Sequence, residues 1–122
     1  MYTYSVDGSI LKLVATARTQ PEEREHVLGK IRKDPRVPER SLLLIDAREA
    51  DSIGTVTALQ GLVHLFVERL GPKIGQRCAA VVPPERVGEA RLFQVATGEM
   101  GIRMEIFGEV EAAKDWLLEF RQ

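Results

Sequence analysis

The chain has 122 residues, a size that suits one domain with its own apolar core. With 44% hydrophobic and 29% charged residues it has the balance of a globular protein, and a net charge of −1 gives no global field for nucleic acid or an acidic membrane. Cys78 is the single cysteine, which excludes an internal disulfide and predicts a buried thiol in a reducing compartment.

The start, Met1 to Ser5, has neither a basic end nor an apolar run and does not read as a signal peptide. No apolar stretch approaches the ~20 residues of a membrane span, so a cytoplasmic protein is expected. In chain order, Tyr2–Val6 and Ser9–Thr16 flank Asp7-Gly8, a hairpin signal because Gly accepts the positive φ of a primed turn. Leu11, Leu13 and Ala15 share one strand face; Ile10, Lys12 and Val14 share the other. A helix then opens at Thr19-Gln20-Pro21-Glu22, with Thr19 as cap and Glu22 completing a capping box. Its inner stripe is Arg24, Val27, Leu28 and Ile31, and Asp34-Pro35 ends it.

Leu42–Ala47 is apolar throughout except for Asp46, as expected of a central strand covered on both faces. The next helix runs from about Thr55 to Leu70, with Leu59, Leu62, Val63, Phe66 and Leu70 at helical spacing. Gly71-Pro72 stops it. Cys78–Val82 is a short buried strand closed by Pro83-Pro84, and a helix of about Glu85–Glu99 follows, with Leu92, Phe93, Ala96 and Met100 on one face. Ile102–Phe107 is a strand with Met104 and Ile106 inward. The last helix, Val110–Phe120, packs through Ala113, Trp116, Leu117 and Phe120. The order is β-β-α-β-α-β-α-β-α: one α/β domain over 1–122, with a mixed, mostly parallel sheet and right-handed crossovers.

The chemistry-bearing candidates are few. Asp51-Ser52-Ile53-Gly54 lies between the central strand and a helix, where open α/β sheets place ligands and backbone N–H groups favour anions. Ser52 or Thr55 can cap that helix. Arg48 can pair with Asp46, Glu49 or Asp51. His26 and His64 have no Cys or His partner at i+3 or i+4, so no metal site is expected. A triad of Ser52, His64 and Asp46 lacks the Gly-x-Ser-x-Gly elbow, and no Gly-rich phosphate loop is present, so no catalytic residue or cofactor is assigned. The basic run Lys30–Arg40 has no interleaved aromatics, which argues against nucleic acid. The apolar surface of the 55–70 helix has three readings: ordinary core, a homodimer face, or one wall of a pocket with Leu62, Phe66, Phe93, Met100 and Met104.

This element order, with Leu44-Ile45-Asp46 ending a strand and Asp51-Ser52-Ile53-Gly54 opening a helix, resembles the STAS domain, the SpoIIAA-like fold of anti-sigma-factor antagonists. Ile106-Phe107 and the segment Glu111-Ala112-Ala113-Lys114-Asp115-Trp116-Leu117 look like the end of its uncharacterised STAS/SEC14 branch. The resemblance implies a non-catalytic regulatory module that binds a protein partner, a kinase or sigma-related regulator, through the 49–56 loop. Ser52 then takes the phosphoacceptor position, with Asp51, Gly54 and Thr55 around it. It also implies a sheet covered by helices mainly on one face. The SEC14 likeness implies the alternative, a carrier of a small apolar or lipid-like ligand. Ile53 stands where antagonists usually have a small hydroxyl residue.

Overall fold

The computed structural model describes residues 1–16, 20–51 and 55–119. Strands β1 (Tyr2–Asp7) and β2 (Ile10–Thr16) form the opening hairpin. Asp7 pairs with Ile10, so the loop is Gly8–Ser9, one residue later than the Asp-Gly signal predicts. Gly8 has φ of 60° and Ser9 has negative φ, the pattern of a type II′ turn, in which Gly takes the first central position.

Helix α1 (Pro21–Lys33) starts at Pro21, with Gln20 in the cap position and no side-chain cap bond. Thr19, the expected cap, lies outside the described residues, and the shift of register puts Glu23 rather than Glu22 at the third helical position. Glu23 does not close a box; its Oε2 accepts the Tyr2 backbone N–H at 2.9 Å. Glu22 and Glu23 at the start of α1 and Lys30, Arg32 and Lys33 at its end complement the helix dipole.

Strand β3 (Ser41–Glu49) leads into α2 (Val56–Leu70), then a single 3-10 turn, Gly71–Lys73, and β4 (Ile74–Val81). β4 begins four residues before the apolar run predicts. Its polar start pairs beside Ser41 because Gly75 has no Cβ: one built there would sit 2.7 Å from the Ser41 carbonyl oxygen and 2.8 Å from that of Arg40. A further 3-10 turn precedes α3 (Val87–Glu99), β5 (Arg103–Phe107) and α4 (Val110–Leu118). Phe120, expected to pack from the last helix, lies outside the described residues.

The sheet order is β1-β2-β3-β4-β5, with only the β1–β2 pair antiparallel. Three parallel crossovers that all advance the same way, each right-handed, must place α1, α2 and α3 on one face. The larger core cluster lies there and joins Leu11, Leu13, Leu28, Ile31, Leu43, Phe66, Leu70 and Met104. α4 takes the other face, where Ala113 and Leu117 pack on Ile10, Leu44, Ala79 and Val81. Its Trp116 tilts against Phe107, with ring centres 5.8 Å apart.

On α2 the apolar stripe Leu59, Leu62, Val63, Phe66 and Leu70 is buried. That stripe lies between α1 and α3, against the sheet. On α3 the inner face runs through Ala90, Phe93, Ala96 and Thr97, while Leu92, expected inward, is 45% exposed. Leu92 lies about 100° around the helix from Phe93, and the inner face is fixed instead by Gln94, whose Nε2 donates to the Met104 carbonyl at 2.7 Å.

Candidate functional site

A cavity of about 370 Å³ lies between the α1–α3 layer and the sheet, at the C-terminal ends of the parallel strands. Close-packed interiors have few voids larger than a water molecule, whereas pockets for small organic ligands start near ~300 Å³. The space has a simple sequence origin. Ala15, Ala47, Ala50, Ala58, Ala80 and Ala90 line it from β2, β3 and the residue after it, α2, β4 and α3. Their short side chains leave space that larger aliphatic side chains would fill. Leu59, Leu62 and Phe66 of α2, Phe93 of α3 and Met104 of β5 complete an apolar wall.

Four of the five residues expected to share a pocket therefore meet here: Leu62, Phe66, Phe93 and Met104. Met100 does not. It caps the C-terminal end of α3, its N–H donating to the carbonyls of Gly98 and Thr97. Because α3 runs antiparallel to the strands, that end lies away from the strand termini where the cavity sits.

The rim is polar. Arg24 from the first turn of α1, Asp51 after β3, and Arg86 and Glu89 at the start of α3 all line it. The Arg24 guanidinium lies 5.6 Å over the Tyr2 ring, which in turn meets Phe66 edge-on with centres 6.4 Å apart. Burial pushes the Tyr2 hydroxyl above its usual range, and the Arg24 charge opposes that shift. Arg86 donates through Nη1 and Nη2 to the Ala50 carbonyl, tying the loop after β3 to α3. The Nε atoms of both Arg24 and Arg86 are buried without an acceptor. Asp51 and Glu89 are engaged in contacts of their own.

Thr55 holds the cap position of α2, and its side-chain oxygen accepts the Ala58 N–H at 3.1 Å. Ser52, Ile53 and Gly54 lie outside the described residues. Asp46 points to the α4 face of the sheet, the side opposite the cavity and α2, and forms a two-pronged pair with Arg48: Nε to Oδ1 at 2.9 Å and Nη2 to Oδ2 at 2.8 Å. That pairing holds the Asp46 carboxyl below its usual range. Asp46 and His64 are thus on opposite sides of the sheet, and the paper triad does not assemble. Cys78 is fully enclosed, and burial pushes its thiol up to about 12.

The cavity lining contains no Cys, His or Lys among the described residues, and its hydroxyls are those of Tyr2 and Thr16. The arrangement can enclose apolar surface and present hydrogen-bond donors at one end. Helical and strand spacing places Leu62, Phe66, Phe93 and Met104 on apolar faces; it does not reveal the six alanines as one surface or the two rim arginines.

No protein-family model matches the chain, and no curated protein matches it. Among solved structures, an uncharacterised protein from the DUF3478 family of Shewanella loihica PV-4, described as having a SpoIIAA-like fold, is similar with a TM-score of 0.65. It is 19% identical, and the match covers 96% of this chain and 92% of that one. At that identity the likeness establishes the fold: this chain has the SpoIIAA-like α/β architecture, with a five-stranded mixed, mostly parallel sheet. Among the described residues no helix is long and apolar enough to cross a membrane.

Proposed function

We propose that this protein is a non-catalytic binding module that holds a small apolar or lipid-like molecule between its α1–α3 layer and its sheet. The supporting observation is the alanine-lined cavity of about 370 Å³ at the strand termini. A water occupies ~30 Å³, so the space equals roughly a dozen waters or methylene-sized groups. Moving a chain of that size out of water is favourable by ~0.8 kcal/mol for each buried methylene, before the cost of association.

The test is native mass spectrometry of protein purified from cells, together with thermal unfolding in the presence of decanol. A bound small molecule, and a melting temperature that rises with alcohol concentration, are expected. A ligand at a hundredfold its Kd raises stability by about 2.7 kcal/mol. Protein that carries nothing, and whose melting is indifferent to decanol, would sink the proposal.

A second reading concerns the 49–56 segment as a docking loop for a kinase-like or sigma-related protein. It is favoured by Thr55 taking the cap bond of α2, so that bond does not depend on Ser52. A phosphoryl group on Ser52 would add about −2 charge beside Asp51 and Glu49 and so break such a complex. Co-purification of the partner should weaken with Ser52→Asp; binding indifferent to Ser52→Asp and Ser52→Ala removes this reading. Light scattering reports whether the partner is instead a second copy of the chain.

A further inference from the structure

We infer that the cavity takes a single-chain amphiphile with an anionic oxygen head, a carboxylate or phosphate monoester, and that Arg24 and Arg86 hold that head at the rim. The inference rests on the cavity being a ligand site. It adds the ligand's polarity and orientation.

A pocket meant only for hydrocarbon gains nothing from arginines in its lining. Arg24 and Arg86 both line this one, and each has a buried Nε with no acceptor. Buried donors are nearly always paired, and leaving one unsatisfied costs about 1–3 kcal/mol, more where the group is charged. Those two Nε atoms are enclosed, so it is the rest of each guanidinium, lining the rim, that can meet an acceptor that comes with the ligand. Among the described residues neither arginine takes part in an ion pair, so the positive charge of neither is neutralised by a carboxylate at bonding distance. The rim carboxylates Asp51 and Glu89 have contacts of their own and set the opposite requirement. A head beside them must be small enough to reach the arginines without meeting them.

The backbone adds to this. Arg24 lies in the first turn of α1, Ala58 in that of α2 and Glu89 in that of α3, so the first turns of three helices contribute to the lining. Their partial positive charge favours an anion at this end. The opposite end of the cavity is floored by Ile45, Ala80 and Met104 and receives the tail. The volume matches one chain of about ten carbons.

The test compares three probes of equal tail length, decanoate, decyl phosphate and decanol, by calorimetric titration of the full chain and of its Arg24→Gln and Arg86→Gln variants. An anionic head on two charged donors is expected to bind at least about tenfold tighter than decanol. Each substitution is expected to erase most of that preference while leaving decanol affinity within about twofold. Decanoate ahead of decyl phosphate assigns a carboxylate head, and the reverse order a phosphate. Arg86→Gln also removes the bonds to Ala50, so a loss shared by all three probes reports damage to the fold; Arg24→Gln, which breaks no hydrogen bond to the backbone, then decides. Equal binding of decanol and the anions to the unmodified protein overturns the head-group assignment and leaves the apolar carrier standing. Binding of none of the three overturns both.

Discussion

Replacing Ala80 by isoleucine tests whether the alanine floor is what holds the cavity open. Ala80 lies on the interior strand β4, 4% exposed, paired across to Ile45 and Ile106 and facing the void. Three added carbons at about 0.8 kcal/mol each set a ceiling of ~2.4 kcal/mol of gained stability. Ordering the new side chain returns about 0.5–1 kcal/mol of that. Isoleucine suits a buried strand, so the backbone adds no penalty. A net gain of about 1–2 kcal/mol follows, which for a domain of this size raises the melting temperature by roughly 4–8 °C. The assay is calorimetric melting paired with urea unfolding, alongside decanol titration. Binding should weaken, because the added carbons take ~90 Å³ of the space at about a water's volume each. In a closely packed core the same change is overpacking and costs about 1–3 kcal/mol. A destabilisation of that size, with an unchanged unfolding slope, would mean that the space beside Ala80 is already filled.

Other outcomes follow from single residues. Thr55→Ala should cost about 1 kcal/mol in urea unfolding by removing the cap bond to Ala58, and Thr55→Ser should restore most of it; no loss would mean the α2 terminus is satisfied otherwise. Asp34 is held well below the usual carboxylate range by the Arg36 side chain first, then by the Arg36 backbone N–H and the Tyr4 hydroxyl. A carboxyl with a depressed folded pKa contributes stability above its unfolded value of about 3.9 and loses it as pH falls below that point. Stability should therefore drop in acid more steeply in the native chain than in Asp34→Asn, and parallel pH profiles would contradict this. Cys78, buried with its thiol at about 12, should resist iodoacetamide at pH 8 until the chain unfolds; labelling at the rate of a free thiol would show that β4 opens without global unfolding.

Much of the architecture is readable from local chemistry. Gly8, Pro21, Thr55 and Gly71 mark turns and helix limits because each answers a backbone need that does not depend on distant residues. The strand-helix alternation fixes right-handed crossovers for the same reason. Where long-range contact decides, local pattern misleads. Leu92 looks inward by composition, but the bond from Gln94 to the Met104 carbonyl helps orient α3 otherwise. The polar start of β4 does not look like a strand, yet Gly75 lets it lie against Arg40 and Ser41.

The candidate site divides in the same way. The sequence by itself determined the elements, their order, and that Leu62, Phe66, Phe93 and Met104 are apolar residues on inward-facing positions, because periodicity is a property of neighbours along the chain. Folding alone brings six alanines from five separate stretches together, sets Arg24 and Arg86 at the same mouth, and turns Asp46 to the far side of the sheet. A void has no sequence signature, since it is made by what several distant positions each leave out. Its volume depends on the sum of those omissions across strands and helices that only folding brings together.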